Sequence, residues 1–254
     1  MATDWQLPPG VSRALWDHLH DPASARLYDR QLADTPLLAL DIQYVRHWCR
    51  PPGSIIDLGC GTGRLAIVLA GKGYRPVAVD LSPEMLRVLG DKAASLGLDI
   101  PRVQANLVEL DAIADQSFDH AACLFSTLGL IEGSAHRRRF LQHVYRLLRP
   151  GGVFVLHVHN RWFHLWTRAG RRLLCRNLFG GDFVMPAHQG TGPLNMHLFT
   201  RGEIVRELRT IGFHVREVRP VSVRPDGKVP WSFLFSGWRA YGFLVAAVKW
   251  KELG

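Results

Sequence analysis

Residues Ile55-Ile56-Asp57-Leu58-Gly59-Cys60-Gly61-Thr62-Gly63-Arg64-Leu65-Ala66-Ile67-Val68-Leu69-Ala70 read as an apolar strand, a turn with glycine at every second position, and an apolar-periodic helix. Three glycines strip the β-carbons from one side of the turn, so its backbone can adopt left-handed angles and lie directly against a ligand. The amides opening the following helix then face that ligand and suit a carboxylate.

Two ligand classes use such a loop after a first strand. A pyrophosphate-binding dinucleotide loop needs glycine at its first, third and sixth positions. Counting from Gly59, the sixth position is Arg64, and Asp57 would set a carboxylate beside an anionic ligand. A cationic ligand removes that objection. An acidic residue, one intervening residue and then Gly-x-Gly-x-Gly is the hallmark of the class I S-adenosylmethionine-dependent methyltransferases, which this stretch resembles.

Further motifs follow in the order that resemblance implies. Pro76 to Asp80 is a short β-branched run ending in an acid, and Ser82-Pro83-Glu84-Met85 opens a helix with Ser at the N-cap and Pro at the first helical position. Val103 to Leu107 stands where the family has its next ligand contact, following the third strand, Phe118 to Phe125 matches the fourth strand, and Leu147-Leu148-Arg149-Pro150-Gly151-Gly152 leads into a fifth at Val153 to Val158. The resemblance covers roughly 100 residues. It implies a cofactor site made by Asp57, Gly59, Cys60, Gly61, Thr62 and Gly63, by Asp80 on both ribose hydroxyls at a partly exposed position, and by Leu81, Met85, Asn106, Leu107 and Leu124. Asn106 stands where many members carry an Asp that bonds the adenine amino group. Tyr28 resembles the Tyr that closes over the methionine end in small-molecule enzymes of the family, within Tyr28-Asp29-Arg30; packing between helices explains it equally well. Arg64 either pairs with the cofactor carboxylate or lies on the helix surface. No residue spacing suggests a metal.

The implied fold is α/β: a Rossmann-like, seven-stranded, mostly parallel sheet with helices on both faces and an antiparallel last strand. Residues 1–50 read as an N-terminal helical cap ending at Pro51-Pro52-Gly53, 51–160 as the cofactor-binding core, 161–199 as a basic, aromatic insertion covering the substrate, and 200–254 as a C-terminal helix with the last two strands. Thr200-Arg201-Gly202-Glu203 is a capping box, and Gly212 closes that helix. Phe213 to Val218 and Phe243 to Trp250 are the expected final strands.

At 254 residues with 47% hydrophobic residues the chain can fill one large core. Asp4 and the lack of a basic-then-apolar start argue against a signal peptide. Phe243 to Val248 is too short to span a bilayer. Cys49, Cys60, Cys123 and Cys175 form no Cys-x-x-Cys pair, which suits reduced thiols in a cytoplasmic protein.

Sulfonium methyl transfer needs alignment and water exclusion more than dedicated catalytic groups. His157 and His159 share one face of the fifth strand, and His159, nearer the ligand edge, is the candidate proton acceptor; hydrogen bonding within the sheet and helix layer is the alternative. Trp162, Phe163 and Trp166 suit either an apolar substrate pocket or the insertion's own packing. Between Glu132 and Asp182 there is no acid, yet Arg137, Arg138, Arg139, Arg146, Arg149, Arg161, Arg168, Arg171, Arg172 and Arg176 lie there, more than the net charge of +9. An anionic membrane surface, an acidic substrate, nucleic acid or plain solvation each suits that tract. After the fourth strand the chain reads Cys123-Leu124-Phe125-Ser126-Thr127 rather than the Asn-Pro-Pro type turn of base-methylating enzymes. The expected activity is therefore methylation of a small-molecule or lipid-like acceptor; nucleic-acid methylation through residues 133–181, a non-catalytic cofactor-binding protein and a reductase on the same fold remain the alternatives.

Overall fold

The computed structural model describes residues 7–21, 25, 28, 37–166, 170–171, 181–185, 193–224, 226–229 and 236–250. Helix α1 (Arg13–Leu19) starts where the Ser12 side chain accepts the Leu15 N–H, the usual means of satisfying an orphan amide at a helix start. Helix α2 (Leu37–Trp48) buries Leu37, Asp41, Tyr44 and Val45, spaced to form one stripe. Strands β1 (Ser54–Leu58), β2 (Arg75–Asp80), β3 (Arg102–Gln104) and β4 (Phe118–Cys123) alternate with α3 (Arg64–Ala70), α4 (Pro83–Ser95), the short α5 (Thr127–Leu130) and α6 (Ser134–Leu147), ahead of β5 (Leu148–His159). A 3-10 turn (Arg161–Trp166), a hairpin of β6 (Asp182–Met185) and β7 (Leu194–His197), α7 (Arg201–Ile211), β8 (Phe213–Val221), α8 (Ser236–Arg239) and β9 (Gly242–Lys249) complete the order.

Seven strands form one sheet in the order β3-β2-β1-β4-β5-β9-β8, and β9 runs antiparallel to both neighbours. The expected architecture is therefore present. The order reverses between β1 and β4, and the crevice outside their carboxyl ends is where such sheets bind ligands. Side-chain alternation sorts the core onto two faces: Ile56, Ala121, Phe154 and Val245 pack against Phe140 and Val144 of α6 and Ile204 of α7, whereas Ile55, Ala122, Val155 and Leu244 pack against Tyr44 and Val45 of α2 and Leu65 of α3.

Several boundaries differ from the sequence reading. Strand β4 stops at Cys123 rather than Phe125, because Phe125 and Ser126 take φ of 52° and 61° and leave the extended region. Strand β3 is confined to three residues, and β8 extends to Val221. The β6–β7 hairpin was not foreseen; it is a separate two-stranded sheet inside the 161–199 insertion. The capping box and the left-handed Gly212 cap are both formed around α7. Asp4, Asp29, Arg30, Arg168, Arg172, Leu173, Leu174, Cys175 and Arg176 lie outside the described residues. Among those described, Cys49, Cys60 and Cys123 are free and buried, and no helix is long and apolar enough to cross a membrane.

Candidate functional site

The loop between β1 and α3 is fixed from below and shaped by its glycines. The amides of Gly59 and Cys60 both donate to the carbonyl of Val79, at 2.8 and 3.0 Å, tying the turn to β2. Gly59 and Gly63 have φ of 76° and 82°, and a β-carbon there would stand 2.5 Å from Thr127 Cγ2 and 2.5 Å from Leu89 Cγ respectively. No other residue fits either position without displacing a neighbour. At Gly61 the open side faces the ring of Tyr28, 3.3 Å from where a β-carbon would be.

Two carboxylates flank this loop. Asp80 is buried, at 7% exposure; its Oδ2 accepts the Gly61 N–H at 2.8 Å and its Oδ1 the Ser82 N–H at 2.9 Å. Burial raises its pKa, and the amides of Ser82, Gly61 and Leu81 oppose that rise. Asp80 is thus a brace for the loop, which corrects the expectation of a partly exposed acid with little structural part. Asp57, one strand away, is buried with Oδ2 lacking any hydrogen-bond partner among the described residues. Burial, reinforced by the negative charge of Asp80, pushes its carboxyl up to about 7, against the pull of the Ala66 amide and Arg64. An orphaned buried acceptor costs about 1–3 kcal/mol, so this oxygen is chemically suited to a cationic or N–H-bearing group.

A cavity of about 230 Å³ lies over the loop, with a chamber of about 30 Å³ beside it. Tyr28, Gly59, Gly61, Asp80, Leu81, Met85, Asn106 and Leu107 line the larger space. Asp57, Cys60 and Leu124 line the smaller, and Tyr28, Gly59 and Thr127 belong to both walls. Eleven of the expected site residues are thus brought together. Thr62 and Gly63 line neither space: Thr62 is buried behind the loop and its carbonyl accepts Lys92 Nζ, while Gly63 caps α3. Asn106 reaches the wall with its amide largely committed, Nδ2 donating to the Pro9 carbonyl at 2.9 Å and Oδ1 accepting the Val108 N–H.

Arg64 points into the smaller chamber. Its guanidinium lies 4.2 Å from the Phe125 ring centre and 4.9 Å from that of Tyr28, and Nη2 donates to the Tyr28 hydroxyl at 3.3 Å. Such stacking holds an arginine in place without neutralising it. The left-handed turn at Phe125-Ser126 aims that ring, and it is held by the Ser126 amide on the His157 carbonyl and by the His159 amide on Ser126 Oγ.

His159 lines neither space. Its ring packs against Tyr241 at 4.6 Å and His157 at 5.8 Å, and burial, with His157 and His164 adding to the effect, drives its pKa down to about 3. His157 is hydrogen-bonded to Asp41 of α2, the helix-layer role weighed for it from sequence. The imidazole on the larger cavity's wall belongs to His18, kept below its usual pKa by burial against the opposing charge of Asp21. His18 escaped notice, as did Thr127 and Met196. The one available signal was the α1 stripe of Leu15, His18 and Leu19 after a Ser N-cap.

The insertion roofs this site through Leu194 and Met196 of β7. His197 anchors the hairpin, with Nδ1 2.8 Å from Asp182 Oδ1 and Nε2 2.7 Å from Glu203 Oε1; Arg161 joins Glu203 at 3.0 Å and Arg137 joins Asp182 at 3.3 Å. Among the described residues the arginine-rich tract is met by acids from outside it, since Arg138, Arg139, Arg146 and Arg149 also face Glu207, Asp111, Asp115 and Asp119. Trp162 stacks on Trp238 and Phe163 packs edge-on to Tyr241.

Comparison with known proteins agrees with this geometry. Residues 55–152 match the family described as methyltransferase domain. The chain is 32% identical over 175 residues to the ubiquinone biosynthesis O-methyltransferase of Xanthomonas campestris pv. campestris (strain B100), covering 64% of this chain and 71% of that protein. A methyltransferase-named protein of Geobacillus sp. (strain WCH70) is 33% identical over 108 residues; that match spans 42% of this chain and 43% of the relative, less than half of its length. Among solved structures, an S-adenosylmethionine-dependent methyltransferase of Methanosarcina mazei superposes with a TM-score of 0.68 at 24% identity over 82% of this chain and 97% of its own. The 1,6-didemethyltoxoflavin-N1-methyltransferase of Burkholderia thailandensis, solved with 1,6-didemethyltoxoflavin and S-adenosylhomocysteine, gives 0.64 at 19% identity over 97% and 93%. These structures share the fold, and with the sequence matches they establish that the chain belongs to the class I S-adenosylmethionine-dependent methyltransferases.

Proposed function

We propose that the protein transfers a methyl group from S-adenosylmethionine to a nucleophile on a small, largely apolar acceptor. The observation that carries this reading is the Asp57 oxygen, without a hydrogen-bond partner among the described residues, in a chamber that adjoins the Asp80-walled cavity. When bound, the cofactor supplies an electrophilic methyl on a positively charged sulfur. Asp57 would hold its ammonium group, Arg64 its carboxylate, Asp80 its ribose hydroxyls, and Leu81, Met85, Asn106 and Leu107 its adenine end. Gly59, Cys60, Gly61, Tyr28 and Leu124 would enclose the methionine chain.

The acceptor's character follows from the remaining wall. Leu15, Leu130, Leu194 and Met196 offer apolar surface and exclude water. The relative named for O-methyl transfer in ubiquinone biosynthesis supports an oxygen nucleophile. In this reading His18 takes the acceptor's proton as its oxygen or nitrogen accepts the methyl, because a neutral imidazole on the wall can do so and His159 stands elsewhere.

Binding tests the proposal first. S-adenosylhomocysteine at 100 times its dissociation constant should stabilise the fold by about 2.7 kcal/mol, with a matching rise in melting temperature and none from NAD. A rise with NAD alone would overturn it. Transfer of labelled methyl from the cofactor to metabolites of a cell extract then separates an enzyme from a silent binder, and label in RNA or DNA instead would redirect the acceptor.

A further inference from the structure

At the end of the sheet opposite the glycine loop, a cleft of about 610 Å³ opens between the last turn of α2 and the turn joining α3 to β2. Its walls are Arg46, Arg50, Lys72, Pro51, Pro52 and Tyr74. Three cations from two separate segments converge there. Among the described residues no carboxylate lies within ion-pairing distance of any of them, whereas Arg87, Arg138, Arg139 and Arg149 elsewhere on the surface each face one. Asp119, at the same end of the sheet, is already taken by Arg149 and Ser54.

Part of this arrangement is structural. Arg50 Nε donates to the Arg46 carbonyl at 2.9 Å, closing the end of α2, and cations at a helix C-terminus are favourable in their own right. That accounts for one nitrogen of Arg50 and leaves its terminal pair and the charges of Arg46 and Lys72 without a carboxylate partner among the described residues. Burial raises the pKa of the Tyr74 hydroxyl and the charges of Arg46 and Arg50 oppose that rise, so both arginines lie near this ring. Like charges held together repel unless an anion sits between them. The Tyr74 hydroxyl itself is bonded to the Cys49 carbonyl, so its ring and the two prolines form a fixed apolar side.

We propose that this cleft binds a small phosphorylated molecule, with the phosphoryl group between Arg46, Arg50 and Lys72 and its less polar part against Pro51, Pro52 and Tyr74. Guanidinium groups match phosphate oxygens two at a time, and an ammonium adds a point charge. The site is independent of the methyl-transfer reading, since none of these residues touches the glycine loop cavity.

The test is calorimetric titration of the full chain with inorganic pyrophosphate in low salt and again in about 0.5 M salt, where screening is strong. Saturable binding at one site is expected, weakened at least tenfold in Lys72→Ala and in Arg46→Ala and also by the salt. Arg87→Ala, a surface cation elsewhere, should bind as the parent does. The two cleft side chains are exposed, so the variants should keep the parent's circular dichroism and its response to S-adenosylhomocysteine. Absence of saturable binding, equal binding by the Lys72→Ala/Arg46→Ala double variant, or binding only to anionic vesicles or RNA with none to pyrophosphate would each overturn the proposal.

Discussion

Asp41 Oδ2 and His157 Nδ1 stand 3.0 Å apart with both side chains fully buried, although 116 residues separate them in the chain. The bond ties α2, the last element before the core, to the C-terminal end of the fifth strand. Each partner also keeps a second buried atom, Asp41 Oδ1 and His157 Nε2, without a hydrogen bond among the described residues.

Removing one member strands the other. Asp41→Ala should cost about 1–3 kcal/mol, the usual cost of an unsatisfied buried polar group, and His157→Ala a similar amount. A double-mutant cycle by urea unfolding should give a double variant markedly less destabilised than the sum. Simple additivity would show that the pair is not coupled.

Asp57→Asn separates charge from shape. With a folded-state pKa of about 7 against an ordinary value of 3.8, the native protein holds this proton where the unfolded chain has lost it. Stability from this group therefore falls as pH rises from about 4 to about 7, and the Asn variant should lack that fall. Cofactor binding should favour the carboxylate and release up to one proton below about pH 7. Titration of S-adenosylhomocysteine in buffers of different ionisation enthalpy should detect that release in the parent and lose it in Asp57→Asn, together with at least tenfold in affinity.

Asp80→Ala should act twice. Cofactor affinity should fall, and the Gly61 and Ser82 amides lose their acceptors. A cost of about 1–3 kcal/mol corresponds to a melting temperature several degrees lower, since about 2–4 °C accompanies each kcal/mol in a chain of this size. An unchanged melting temperature would show that water replaces the carboxylate without penalty.

His197→Ala should loosen the β6–β7 hairpin from α7. Gly181 is shaped around this ring, since a β-carbon there would lie 2.1 Å from His197 Cε1. Limited proteolysis should cut the hairpin region faster, and the acceptor KM should rise more than the dissociation constant of S-adenosylhomocysteine, because Leu194 and Met196 meet only part of the cavity. Equal protease resistance would remove His197 as the anchor.

Much of the glycine-loop half of the candidate site was legible because its backbone geometry is local. Asp57, the three glycines, Asp80 and the Ser82 cap fall within short segments whose spacing dictates strand, turn and helix. His159 shows where that reasoning ends: alternation placed it on the correct face of β5, yet Tyr241 and His157, from neighbouring positions on the sheet and its edge, enclose its ring away from the cavity. Arg64 shows the complement, since its position was read from the loop, but its role depends on Tyr28 and on a Phe125 ring aimed by two left-handed residues that no composition rule foresees.

By itself the order of residues determined the alternation of strands and helices, the glycine loop, and the two acids beside it, because backbone conformation and side-chain periodicity are set by neighbours within a few positions. Only the folded chain decided which imidazole reaches the cavity, how Asp57 comes to be buried with one oxygen lacking a partner among the described residues, where acids from other segments meet the described arginines of the basic tract, and how a hairpin covers the site. Those features depend on burial and on charges far apart in sequence, and neither exists until the sheet has assembled.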